Sequence, residues 1–507
     1  MRYTLGMDVG TSGTKAALFD EMGRRAAAVT VGYPLYQPKN GWAEQSPEDW
    51  RNAAIKASAE VVRKSGVDKK DIVGIGLTGQ MHGLVMLDGD GNVIRNAIIW
   101  CDQRTGEECR EIEETIGRKR LVEITANPAL TGFTASKIMW VKKHEPEVFA
   151  KCRHILLPKD YIRYVFTGEF ATDVSDASGM QLLDVPGRRW SEEVAGKLGI
   201  DISTLGKVYE SPEITGYLSE EIADLTGLPA GIPVVAGAGD NAAAAVGEGV
   251  VRNGRAFTTI GTSGVVFAHS DEIRIDPAGR VHTFCCAVPG AWHVMGVTQA
   301  AGLSLRWLRD NVCTEETNEA KEKGVDPYDI MCAEAGKTPV GADRLIYLPY
   351  LMGERTPHLD PDCRGAFVGL SAVHTRAHMI RAVLEGVCYS LNDCLSVLSE
   401  MGVVTDDMKV CGGGGKSGFW RQMLADVYGI PVSTVESDEG PSLGAAILAM
   451  VGAGIYGDVC EACETVVRTK ETVTPDMNRG KEYRKFYGVY DALYGHLKDD
   501  FGALAKL

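Results

Sequence analysis

Hydrophobic and polar residues alternate from the third position of the chain onward. Tyr3, Leu5, Met7 and Val9 fall on one side of an extended segment, and Thr4, Gly6 and Asp8 on the other, the period-two signature of a strand. The alternation breaks at Gly10-Thr11-Ser12-Gly13, resumes over Lys15-Ala16-Ala17-Leu18-Phe19 and turns again at Asp20-Glu21-Met22-Gly23. This predicts a strand, a glycine-rich turn, a second strand, a second turn and a third strand. Residues 48–64 read as a helix, and Ile72–Leu77, Leu84–Leu87 and Ile94–Ile99 as further strands, the last two separated by an Asp88-Gly89-Asp90-Gly91 turn. A meander, a helix and more strands describe a mixed sheet with helical cover. From 105 to 230 the pattern is mostly helical and irregular, without legible boundaries.

The opening pattern then returns. Phe257–Ile260, Gly261-Thr262-Ser263-Gly264 and Val265–Phe267 repeat strand, GTSG turn and strand. Turns favour these residues, so one copy says little. Two copies, each between alternating strands and one in each half, predict a duplicated domain with its boundary near Gly249–Gly254, hence units 1–250 and 251–507. Before the boundary, the apolar run Pro233–Gly239 ends in Asp240-Asn241 and an alanine-rich helix start. Near the end, a strand over Met408–Cys411, glycines at 412–415, a helix over Phe419–Tyr428, a strand over Pro431–Val435 and a helix from Leu443 follow in order. A strand, a glycine turn and a helix let a ligand approach backbone at a helix N-terminus.

Composition narrows the classes. The 507 residues, 45% hydrophobic and 24% charged, are too many for one core and too apolar for extensive disorder. Lys and Arg total 53 against 68 Asp and Glu, a net charge of −15, which sets nucleic acid and anionic membrane aside as partners but permits a local phosphate site. No opening apolar stretch suits a signal peptide, and the longest apolar run, Leu443–Tyr456, is interrupted by glycine, so a soluble, cytoplasmic protein is expected. The 13 scattered cysteines suit a reducing compartment. Cys460 and Cys463 lack a second pair at metal spacing and read as thiols on an ordinary helix.

Candidate chemistry gathers at the turns and strand ends. Gly415-Lys416-Ser417 looks like a Walker A loop, but position 410, where that motif needs glycine, is valine. The glycines still allow a flat ring or sugar to lie against the main chain. The GTSG turns, with Thr11, Ser12 and Gly13 in one and Gly261 and Thr262 in the other, offer converging donors for phosphate oxygens. Asp8 is placed to organise Mg²⁺ or its waters, and Lys15 to offset phosphate charge. Asp240, at a strand end opening a helix, is either a catalytic carboxylate or an N-cap. His82 either serves the site or is a satisfied turn histidine. Trp100 either walls a sugar pocket or is a core tryptophan beside a surface Asp102–Arg104 pair.

Several motifs in order carry the chain further: GMDVGTSGTK at 6–15, WAEQSPEDW at 42–50, GQMHG at 79–83, GFTASK at 132–137 and LLPKDY at 156–161. VVAGAGDNAA at 234–243, IGTSGV at 260–265, YLPYLMGERTPH at 347–358 and GGGGKSGFWRQMLAD at 412–426 complete the series. With these the sequence resembles, over essentially its whole length, the FGGY family of carbohydrate kinases, and within it the members acting on xylulose. The resemblance implies an α/β fold of two ribonuclease-H-like domains, as in actin, hexokinase and the Hsp70 ATPase, flanking a catalytic cleft. It implies Asp240 as catalytic base, Asp8 as the carboxylate orienting magnesium and phosphates, and Met81, His82, Trp100, Asp240 and Asn241 around the sugar. Thr11, Lys15, Gly261 and Thr262 match the phosphate hairpins, and Gly413, Gly414 and Phe419 the adenosine region. Gly415-Lys416 stands where the family often has Ala-Arg, so adenine-side contacts depart from the pattern. The expected activity is ATP- and Mg²⁺-dependent phosphorylation of the 5-hydroxyl of D-xylulose, with D-ribulose or L-xylulose as neighbouring substrates. An actin- or Hsp70-like ATPase switch is the rival from another class. The expected partners are a small ketose and ATP; a homodimer stays open, since dimers occur among related kinases and the periodicity marks no interface.

Overall fold

The computed structural model describes residues 1–507. Strands β1 (Tyr3–Val9), β2 (Gly13–Asp20) and β3 (Arg25–Gly32) form the expected antiparallel meander. Helix α1 (Pro47–Ser65) follows, burying Trp50, Ala53, Ala54, Ala57 and Val61 along one face, the spacing of an amphipathic helix. Strand β4 (Ile72–Gly79) then lies parallel to β1. Helices α2 (Pro158–Thr167) and α3 (Val174–Ser178) belong to the middle third. Strands β5 (Ile214–Tyr217), β6 (Pro233–Val235) and β7 (Ala238–Gly239) complete a seven-stranded sheet in the order β5-β6-β4-β1-β2-β3, with β7 also paired to β4.

After helix α4 (Asp240–Gly247) the plan repeats. The strands are β8 (Gly254–Ile260), β9 (Gly264–Ser270), β10 (His282–Cys285), β11 (Trp292–Thr298), β12 (Thr405–Cys411), β13 (Val432–Val435) and β14 (Thr469–Val473). They form a second seven-stranded sheet in the order β10-β11-β9-β8-β12-β13-β14. Counted outward from β1 and from β8, both sheets are antiparallel on one side, with two strands in the first and three in the second. On the other side each has two parallel strands and then an antiparallel one. The GTSG turn joins the equivalent hairpin in each copy. This is the duplicated ribonuclease-H-like architecture that the sequence predicts.

Two predicted strands do not join the main sheet. The segment at 84–87 is a strand only over Val85–Leu87 and pairs with His154–Leu156; that at 94–99 shrinks to Ala97–Ile98, paired with Glu44–Gln45. Their apolar residues are buried for another reason: Leu84, Met86 and Ile98 share a core with Ile112, Ile138 and Leu182 of the middle third.

Helices α5 (Arg376–Glu400) and α6 (Gly418–Tyr428) cover the second sheet. Helix α7 (Gly440–Gly452) begins three residues before the predicted Leu443, with Pro441 in its first turn, where its missing N–H costs nothing. It crosses back onto the first sheet. A Cβ on Gly6 would stand 1.9 Å from the carbonyl oxygen of Ser442, and one on Gly76 would stand 1.8 Å from that of Ala445. Only glycine permits strand backbone and helix backbone to approach so closely. Leu443, Ala446 and Ile447 thus share a core with Phe19, Val235, Ala242 and Val246 from the first half. The alternation along β1 therefore separates two buried faces, with Thr4 and Gly6 lying under α7. Cys460 and Cys463 sit on a short helix, Val459–Val466, with their thiols on the carbonyls of Val251 and Val246.

Candidate active site

The ends of three strands converge where the sequence placed its candidates. Strands β1 and β7 both run parallel to β4, so Asp8, Thr78 and Ala238 share one row and Val9, Gly79 and Gly239 the next. Asp240 follows at once as the first residue of α4, about 10 Å across the sheet from Asp8 by two inter-strand spacings. Gly239 occupies the cap position, so the N-cap reading of Asp240 does not hold. The side chain lines a cavity of about 730 Å³ shared with Asn241, Gly412, Gly413 and Lys416.

Burial raises the Asp240 carboxyl to about 6, against two hydrogen bonds to Oδ1, from the Asn241 amide N–H at 2.7 Å and its Nδ2 at 3.0 Å. Asp8 is pushed up to about 7 by burial first and the field of Asp240 second, with Lys15 opposing. Its Oδ1 is buried without a hydrogen-bond partner. Lys15 is ion-paired with Glu439, which also holds Arg25. Glu439 immediately precedes α7 and comes from the other half of the chain; no local pattern marks it.

Of the residues expected around a sugar, Asn241 and Met81 lie beside Asp240, and His82 and Trp100 are held by other partners. Met81 and His82 follow the end of β4, and Met81 Sδ packs so close to Gly239 that a Cβ there would stand 2.9 Å from it. His82 adopts a left-handed backbone (φ 69°). Its Nδ1 donates to the Gly179 carbonyl at 2.9 Å, and burial holds the ring neutral, with a pKa of about 3. The turn-histidine reading is therefore right for one nitrogen, while Nε2 is left as an acceptor. Lys137 of the GFTASK motif donates to the carbonyls of His82 (2.8 Å) and Gly132 (2.6 Å). Trp100 is 47% exposed, not a core residue, and its indole N–H donates to Thr11 Oγ1 at 2.9 Å. The Asp102–Arg104 pair beside it is buried, not on the surface, with the guanidinium 3.7 Å from the Trp42 ring centre.

Each GTSG turn is held from outside. Gln45 Nε2 donates to the Thr11 carbonyl at 2.7 Å, and Tyr33 N–H to that of Ser12 at 3.4 Å. In the second turn the carbonyls of Gly261 and Thr262 accept from Gly302 and Leu303, at 2.8 and 3.1 Å. Gly13 closes the first turn by accepting from Gly10 N–H at 3.1 Å. Gly261, Thr262, Gly413 and Gly414 line one cavity of about 360 Å³. Phe419 does not: it packs against Gly336 with Arg381 over its ring, and the wall falls to Trp420. At helical spacing the adjacent residue points elsewhere.

Behind Asp240 lies a fully buried ionic cluster absent from the sequence reading. Lys159 Nζ reaches Asp160 Oδ1 (2.6 Å), Asp173 Oδ1 (2.9 Å) and Asp176 Oδ2 (3.5 Å), and Arg163 Nη1 reaches Asp160 Oδ1 at 2.9 Å. Burial pushes the Asp176 carboxyl well above the usual carboxylate range, against the pull of Lys159. Asp173 Oδ2 takes the Ser175 hydroxyl, which accepts from Gly239 N–H at 3.1 Å. Arg163 holds the Ala236 carbonyl. The cluster thereby fixes the backbone leading into Asp240. The LLPKDY motif was its only signal.

Comparison with known proteins agrees with this geometry. The model of the FGGY family of carbohydrate kinases, N-terminal domain, matches residues 3–247, and that of the C-terminal domain matches residues 256–453. The xylulose kinase of Bacillus subtilis (strain 168) is 40% identical over 98% of both chains. The gluconokinase of the same organism is 33% identical, over 99% of this chain and 98% of that one. The crystal structure of xylulose kinase from Rhodospirillum rubrum superposes with a TM-score of 0.92 at 31% identity, covering 99% of this chain and 100% of that one. Duplicated sheets, paired GTSG turns and family models across both halves lead to one conclusion: the chain belongs to the FGGY family of carbohydrate kinases.

Proposed function

We propose that this protein transfers the γ-phosphoryl group of ATP to the 5-hydroxyl of D-xylulose, with Asp240 as general base. The observation that carries the chemistry is Asp240 itself, a carboxylate raised to about 6 that lines a cavity of about 730 Å³. The xylulose kinases among its relatives support the substrate. Residues 1–250 would carry the sugar site and the first phosphate turn, and 251–507 the second turn and the adenosine cavity.

A sugar hydroxyl is a poor nucleophile near neutrality. Asp240 accepts its proton as the oxygen attacks the γ-phosphorus in line; the bond to the bridging oxygen breaks and ADP leaves. General-base help of this kind is worth ~10²–10⁴-fold; positioning and charge neutralisation supply most of the rest. Backbone amides of the two turns receive phosphate oxygens, and His82 Nε2 accepts from a sugar hydroxyl. No three His, Cys, Asp or Glu side chains converge as a metal cage, while Asp8 presents a buried oxygen without a protein partner. This suits Mg²⁺, which keeps water and phosphate ligands and takes one or two carboxylates; bound there, it supplies charge neutralisation on the phosphates. Asp8 would hold the ion directly or through water.

ADP release should be measured with Mg-ATP alone and with D-xylulose, L-xylulose, D-ribulose, gluconate and glycerol in turn. Strong stimulation by D-xylulose is expected; stronger stimulation by another compound would replace the substrate, and none by any would redirect the assignment to an ATPase switch. In Asp240→Ala, sugar-dependent turnover should fall by at least ~10²-fold while ATP binding persists. Retention of a tenth or more of wild-type kcat, on the order expected of a mere structural contact, would remove Asp240 from the role of base.

A further inference from the structure

Arg355, from the GERTPH segment of the second half, is a part-buried guanidinium with no carboxylate paired to it. An arginine withdrawn even partly from water is normally matched by an acid. Its neighbour Glu354 is engaged elsewhere, accepting from Thr298 Oγ1 at 2.7 Å and from the N–H groups of Gln299 and Arg355 at 3.0 and 2.7 Å. The guanidinium makes one protein hydrogen bond, from Nη1 to His282 Nε2 at 3.2 Å.

That bond belongs to a relay of defined direction. Asn127 Nδ2 donates to the carbonyls of Thr125 and Thr283 at 3.0 and 2.9 Å, which turns Oδ1 toward His282 Nδ1 at 2.8 Å. The His282 proton therefore sits on Nδ1, and Nε2 accepts from Arg355. The His282 ring lies 5.8 Å from that of Phe133, which lies 4.8 Å from that of His82. Through the rings of His282 and Phe133 the guanidinium connects to the His82 end of the proposed sugar site, with donors left over.

Substrate chemistry presents an acceptor away from the reacting hydroxyl. A 2-ketopentose closes its five-membered ring through O5, so a molecule whose O5 attacks phosphorus must be open-chain, with its C2 carbonyl free. That carbonyl lies at the opposite end of the chain from the reacting hydroxyl. We infer that Arg355, held by His282 and Asn127, donates a hydrogen bond to the C2 carbonyl oxygen of the acyclic ketose and is a specificity-determining residue. This rests on the ketose-kinase reading above.

Steady-state kinetics of the full-length enzyme test it, using D-xylulose and 2-deoxy-D-threo-pentitol, which has the same C3 and C4 configuration but no oxygen at C2. Arg355→Met should lower kcat/KM for D-xylulose by ~10–100-fold, mostly through KM, and that for the deoxy compound by less than about threefold. A thermal melt of Arg355→Met that matches wild type checks that the variant is folded. Arg355→Lys should recover only part of the loss, because an ammonium lacks the planar fork. Equal losses for both compounds, or none, would overturn the assignment of Arg355 alone. Wild-type enzyme stimulated by gluconate in preference to D-xylulose would instead overturn the ketose reading, and the carbonyl contact with it.

Discussion

In the role proposed for it, Asp240 would have its working pH set by its surroundings. Desolvation raises its carboxyl, and hydrogen bonds from Asn241 pull it back to about 6. A base works deprotonated, so kcat/KM for the sugar should be level above pH ~6 and fall about tenfold per unit below it. Asn241→Ala removes the Nδ2 donor and keeps the backbone one; the carboxyl pKa should rise and the acidic limb move to higher pH. A pH–rate profile in which the limb stays put or moves down would show that another group controls it. His82 behaves oppositely: burial and Lys137 hold it neutral, so it should not titrate in this range.

At the scale of elements, the contact of α7 with β1 and β4 is among the closest backbone approaches in the site's support. Gly76→Ala would drive a Cβ into the Ala445 carbonyl, at 1.8 Å, and neither partner is a flexible side chain that can move aside. Overpacking costs ~1–3 kcal/mol and sometimes more, so the urea midpoint should drop clearly, and activity should fall as well because β4 leads into Met81 and His82. An alanine variant of wild-type stability would mean that helix and sheet are more loosely coupled than the structure describes. Gly66, which caps α1 in open space with φ 65°, is the control: there alanine meets backbone strain but no neighbour.

For the whole molecule, the covalent halves are not independent packing units. Core residues of α7 come from the second half and cover the first sheet, and Glu439 before it holds Lys15 and Arg25. A fragment of residues 1–250 would leave the Gly6–Gly76 face bare, an apolar surface that water penalises. Such a fragment should bind a hydrophobic dye and melt without a sharp transition, while the whole chain melts cooperatively; a fragment as stable as the intact protein would contradict the shared core.

The hairpins, the duplication and the place of Asp240 were legible in the sequence because alternation, glycine-rich turns and an apolar run ending in a carboxylate are local properties of a few consecutive residues. Strand register was not: the apolar residues at 84–87 and 94–99 signalled burial, but the middle-third helices rather than the sheet covered them. Phe419 and Trp420 show the same limit, since adjacency does not say which of two aromatic rings faces the cavity. Glu439, Arg355 and the Lys159–Asp173–Ser175 cluster became visible only in the fold, each meeting partners far away in the chain. Sequence by itself determined which short segments bury a face and where backbone donors cluster. Tertiary structure alone decided which buried charges meet and what each faces, because those meetings depend on long-range packing that no local pattern encodes.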